Sequence, residues 1–166
     1  MGERYLKSIR LLAECMQSFE RFTTEDVRQY DLTHAQFDLI ATLGNTPGMT
    51  YKELGKKTLI TKGTMTGVVE RLVQKGLVER ECNADDKRSF FVRLTAAGEQ
   101  LFQDMFPKIT SRAKQLFVQA DYTDADFAQL EQVLSRLKKV VDVQAAPSPA
   151  APASVSGALL QHKEKL

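Results

Sequence analysis

Few residues in this chain are of types that could make or break bonds, and their spacing does not bring them together. His34 and His162 are the two histidines, and Cys15 and Cys82 the two cysteines. A metal site needs such ligands clustered at short, regular spacing, and a nucleophile needs a base beside it. Asp85 and Asp86 are adjacent in what reads as a turn, without a partner for acid–base work. A glycine-rich phosphate loop is also missing. An enzyme, a metal and a cofactor are therefore not expected. What remains is a chemistry of hydrogen-bond donation. One run, from Lys52 to Thr66, is rich in lysine and threonine, and another reads Asp85-Asp86-Lys87-Arg88. Ammonium, guanidinium and hydroxyl groups suit phosphate oxygens and base edges.

Charge distribution supports that choice more than total charge does. The 166 residues carry a net charge of only +2. Between Thr50 and Thr95, however, ten basic residues stand against six acidic ones, so a surplus of four positive charges sits in the middle and the flanks are net acidic. The chain is 43% hydrophobic and 27% charged, ordinary values for a globular protein. No apolar run is long enough for a membrane span, and the amphipathic start is unlike a secretory signal. A cytoplasmic location and no membrane partner are the expectation.

The elements that must position these groups follow from apolar spacing. Tyr5, Ile9, Leu12, Met16 and Phe19 recur in steps of four and three, which predicts one long helix over about residues 3–30. Thr33 is placed to cap a short helix carrying Ala35, Phe37, Leu39, Ile40 and Leu43, with Gly44 at its end. Thr50 and Glu53 have capping-box spacing and open a helix through about Lys57. After a brief turn at residues 58–60, Thr61 starts a longer helix that buries Met65, Val68, Val69 and Leu72 and stops at Gly76. Residues 77–81 and 89–94 read as two β-strands around the charged turn. Thr95 caps a helix to about residue 120, with a bend expected at Pro107. Thr123 caps the last one, striped by Phe127, Leu130, Leu134, Leu137 and Val141.

Two short helices joined by a tight turn and followed by a hairpin make a winged helix-turn-helix. The fold class is mainly α with a small β-hairpin wing. Three regions are expected: a helical dimerisation region at 1–31 and 96–144, a DNA-binding winged module at 32–95, and a flexible Pro/Ala/Ser-rich tail at 145–166. The outer helices carry more apolar surface than so small a module needs to cover. That favours packing against a second copy over a purely intramolecular bundle. The tail lacks core-forming residues and is expected to be dispensable for folding.

The segments LTHAQFDLIATL, YKELGKKTLITKGTMTGVVERLVQKGLVERE and NADDKRSFFVRLTAAGEQL, in this order, resemble the MarR family of bacterial transcription regulators. The resemblance is most specific at Arg71-Leu72 with Lys75-Gly76-Leu77-Val78, and at Asp86-Lys87-Arg88 with Leu94-Thr95 and Gly98. It implies a homodimer that binds a pseudo-palindromic operator in double-stranded DNA, commonly as a repressor. It further implies release by a small phenolic or lipophilic effector, or by oxidation.

Candidate DNA-binding residues follow. The buried stripe of the helix after Thr61 leaves Lys62, Thr64, Thr66, Gly67 and Glu70 facing outward, where a recognition helix reads bases. Gly67 departs from the family, many of whose members have a larger polar or basic residue there. Lys52, with Lys56 and Lys57, is expected to hold phosphate. Arg88 matches the family's minor-groove arginine, Asp86 the acid that orients it, and Lys87 stands between them. Cys15 is expected to be small, inert and partly buried, since no tyrosine cluster supports an activated thiolate. Two other readings stay open: a winged-helix module for protein contacts without specific DNA binding, and a cysteine-based redox-sensing regulator using Cys15 or Cys82.

Overall fold

The computed structural model describes residues 3–82 and 90–145. Its elements are α1 (Arg4–Arg28), α2 (His34–Leu43), β1 (Met49–Thr50), α3 (Tyr51–Lys57), α4 (Lys62–Gln74), β2 (Val78–Cys82), β3 (Phe90–Leu94), α5 (Ala96–Gln119) and α6 (Asp124–Ala145). The mainly helical winged helix-turn-helix is present, with one addition. The sheet has three antiparallel strands in the order β1-β3-β2, not two. β1 pairs Met49 with Val92 and Thr50 with Phe91. Two residues cannot display an alternation, so this strand had no periodic signature to read.

Side-chain caps set several helix starts. Thr33 and Gln36 close a reciprocal box at the head of α2: the Gln36 N–H donates to Thr33 Oγ1 at 3.3 Å and the Thr33 N–H donates to Gln36 Oε1 at 2.9 Å. Gly44 ends α2 for a different reason than expected. Its backbone is not left-handed; Asn45, at φ 57°, takes that conformation. A Cβ on Gly44 would instead lie 2.3 Å from a Phe102 ring carbon. Gly76 at φ 68° does supply the left-handed turn after α4. α5 continues through Pro107, and the Phe106 and Pro107 carbonyls there both accept from the Thr110 hydroxyl.

The described residues divide into two compact units, with the boundary between Phe117 and Val118. In the first, one core gathers Val27 from α1, Leu39, Ile40 and Leu43 from α2, Leu54 from α3, and Met65, Val68, Val69 and Leu72 from α4. Leu32 and Ile60 from the turns, Met49, Val78 and Val92 from the sheet, and Phe102, Met105 and Ile109 from α5 complete it. Burying each large aliphatic side chain contributes about 1.5–3 kcal/mol, so α4 is held by four such anchors along one face. In the second unit, the Asp126 N–H donates to Thr123 Oγ1 at 3.3 Å and the Thr123 N–H donates to Asp126 Oδ2 at 2.9 Å, closing the head of α6. Tyr122 and Phe127 rings lie 5.5 Å apart there.

Candidate nucleic-acid interface

α3 begins with a second reciprocal box. The Thr50 N–H donates to Glu53 Oε2 at 2.8 Å, and the Glu53 N–H donates to Thr50 Oγ1 at 3.3 Å. Hydrogen bonds from the Thr50 backbone and hydroxyl, aided by the charges of Lys57 and Lys56, hold the Glu53 carboxyl below its ordinary value. Lys52, Lys56 and Lys57 are all exposed on this helix.

The turn into α4 is tightly held. Buried Thr58 donates its hydroxyl to the Leu54 carbonyl at 2.7 Å and accepts the Ile60 N–H at 3.4 Å. The Leu59 N–H donates to Asp38 Oδ2 on α2 at 2.7 Å, a tie across 21 positions. Thr61 then adopts the extended N-cap conformation, φ −67° and ψ 151°, and its carbonyl accepts the Thr64 and Met65 N–H groups. Its hydroxyl makes no backbone cap. It lies 2.9 Å from the Thr64 hydroxyl instead. The first amides of α4 therefore face outward without a side-chain cap, a ready anion-binding end.

The structure brings the expected reading residues together on one surface. Thr61, Lys62, Thr64, Thr66 and Glu70 are exposed and Gly67 is half-buried, while Met65, Val68, Val69 and Leu72 face the core. A Cβ on Gly67 would meet no atom within 4 Å, so nothing inside the chain requires glycine there.

Five ties that sequence spacing did not reveal fix this helix and the wing. Glu70 Oε1 lies 4.0 Å from an Arg80 nitrogen on β2, linking α4 to the wing. The same guanidinium sits 5.3 Å over the Phe90 ring. At the far end of α4, Lys75 donates to the Asp31 carboxylate at 2.6 Å and also to its carbonyl. On the wing, Arg93 bridges Glu79 and Glu81 at 2.7 Å each, its charge stabilised by the Glu79 hydrogen bond first and then by both carboxylates. Each tie joins residues 10 or more positions apart, beyond any local pattern. Asp86, Lys87 and Arg88, expected between the two strands of the wing, lie outside the described residues, as does the side chain of Cys82.

Cys15 requires a correction. It is exposed rather than partly buried, because the α1 face that carries Leu12, Met16 and Phe19 is itself exposed in the single chain.

The MarR family profile matches residues 32–90, which span α2 through the start of β3. The multiple antibiotic resistance protein MarR of Escherichia coli is 30% identical over 128 residues, covering 77% of this chain and 88% of that relative. This chain belongs to the MarR family. Its members are DNA-binding transcriptional regulators, and this chain carries their winged helix-turn-helix, with α4 as its exposed second helix. Solved structures agree on the fold. AbsC, a MarR family transcriptional regulator from Streptomyces coelicolor, superposes with a TM-score of 0.78 at 18% identity, over 87% of this chain and 98% of that one. NadR in complex with 4-hydroxyphenylacetate gives 0.65 at 23% identity, over 78% and 90% of the two chains. None of the helices among the described residues is long and apolar enough to cross a membrane.

Proposed function

We propose that this MarR-family chain is a ligand-responsive repressor that binds a pseudo-palindromic operator as a homodimer in the cytoplasm. One observation carries the reading: α4 is locked into the core along one face and presents an uncapped N-terminal half, with Thr61, Lys62, Thr64, Thr66 and Gly67, on the other. That half enters the major groove. Lys52 holds phosphate from α3, and Asp86, Lys87 and Arg88 carry the wing into the adjacent minor groove, with Asp86 aiming Arg88. Two copies supply two half-sites about one helical turn apart. Repression follows because a dimer seated on a promoter excludes other proteins from the same DNA.

The effector we assign is a small phenolic or lipophilic compound. Two observations support this class. The similar protein NadR is solved with 4-hydroxyphenylacetate. In this chain, an open cleft of about 490 Å³ on α5 is lined by Pro107, Lys108, Ser111, Arg112 and Gln115. Arg112 is held at this cleft by its ion pair with Asp26 and by the Phe22 ring 4.5 Å from its guanidinium.

The test is binding to the DNA flanking the protein's own gene, measured at two salt concentrations against competitor DNA. Arg88→Ala should weaken operator binding by about 1–3 kcal/mol with the melting temperature unchanged. Parent-like binding by Arg88→Ala at physiological salt would remove the wing from the interface.

A further inference from the structure

Leu59 is 89% exposed, the highest exposure of any large apolar side chain among the described residues. It is not exposed through slack in the chain. Its neighbours Thr58 and Ile60 are both buried, the Thr58 hydroxyl ties the turn to the end of α3, and the Leu59 N–H is fixed by Asp38. The turn therefore cannot rotate to hide the side chain. It is a rigid display of an apolar group two residues before the N-cap of α4. The surroundings define what it fits. Lys56, Lys57 and Lys62 lie within three residues on either side, all exposed. An apolar side chain among ammonium groups is poorly matched to an apolar protein pocket, which would have to desolvate those charges. It is well matched to a polyanion that also carries methyl groups. Duplex DNA is one: phosphates line the groove edge, and the thymine 5-methyl projects into the major groove as its apolar feature.

We propose that Leu59 is a specificity-determining residue that packs on a thymine 5-methyl group at one position of each operator half-site. This rests on the DNA-binding reading of α3 and α4 and adds to it a base preference. The outer surface of α4 fits the same preference. Gly67 is bare, and Thr64 and Thr66 present a methyl as well as a hydroxyl, so the backbone can come close to a thymine-lined groove wall.

The experiment starts by selecting sites from a random duplex library with the full chain, then measures affinity for the selected duplex with each half-site thymine replaced in turn by deoxyuridine. That change removes only the 5-methyl. At one position the replacement should weaken the parent about tenfold, the scale of a single lost base contact. Leu59→Ala should weaken binding to the thymine duplex by a similar factor and bind the deoxyuridine duplex as the parent does. Its melting temperature should match the parent's, since the side chain has little to lose. Equal losses on both duplexes would make Leu59 a sugar contact and overturn the proposal. Parent-like binding by Leu59→Ala would overturn it as well and point to a protein partner at this turn. If no sequence is enriched at all, the DNA-binding reading itself fails, an outcome separate from an enriched site that is indifferent to the methyl.

Discussion

α4 and α6 carry the same kind of apolar stripe and meet opposite fates. Met65, Val68, Val69 and Leu72 of α4 are all buried. Leu130, Leu134, Leu137 and Val141 of α6, also along one helical face, are all exposed, and so are Val133, Val140 and Val143. α1 repeats the α6 case with Tyr5, Ile9, Leu12, Met16 and Phe19. A stripe identifies a face that must be covered, but not what covers it. For α4 the cover is the core of its own unit. For α1 and α6 we assign it to a second copy, since exposed apolar rows of this length mark an interaction surface.

One substitution on each helix separates the two fates most directly. Leu134→Glu should leave a helical chain but abolish the dimer and with it operator binding, read by light scattering at micromolar concentration. A persistent dimer would move the interface off α6. Leu72→Ala should cost about 2–5 kcal/mol through the cavity left in the core. Its loss in melting temperature should persist at every protein concentration, whereas any loss from Leu134→Glu should shrink on dilution, where the parent dimer also dissociates.

A smaller effect separates the two faces of α4. Gly67→Ala places a methyl in open space and relieves a glycine in a helix interior, so it should stabilise the fold by about 0.5–1 kcal/mol. The same change should weaken DNA binding, because the methyl stands between the backbone and the groove. A variant that melts higher and binds as well as the parent would show that the bare surface has no role in reading.

The smallest expected effect concerns the caps. Glu53 and Asp126 are held below their ordinary values of 4.5 and 3.8 chiefly by hydrogen bonds from Thr50 and Thr123. A depressed carboxylate contributes stability above its unfolded value, and that stability is lost as pH falls through the folded value. Melting temperature should therefore decline as pH drops below about 4.5, and Glu53→Gln should reduce that slope. An unchanged slope in Glu53→Gln would assign the acid sensitivity to other carboxylates, Asp104 with its Lys108 partner among them.

How much of this was legible follows from range along the chain. The capping box of Thr50 and Glu53, the four buried residues of α4, the left-handed Gly76 and the strands of the wing all depend on neighbours within about one turn or one hairpin. The buried row of α5 runs through Gly98, Phe102, Met105 and Ile109, whereas the apolar spacing of Phe102, Phe106 and Ile109 passes Met105 by, although it lies at 0% exposure in the core. β1 was hidden because two residues have no period. The outward placement of Thr61, Lys62, Thr64 and Thr66 could be read from the pattern of α4, but the bond from Leu59 to Asp38 could not.

The sequence by itself determined the helix starts and stops, the outward face of α4 and the basic middle of the chain, because capping, periodicity and charge are local quantities. Only the tertiary structure decided that Asp38 pins the turn, that Lys75 reaches Asp31 across 44 positions, and that Arg80 joins the wing to Glu70. Those contacts exist because burying the α2, α4 and sheet faces together brings distant polar groups to the rim of one core. No spacing rule along the chain encodes which groups will meet there.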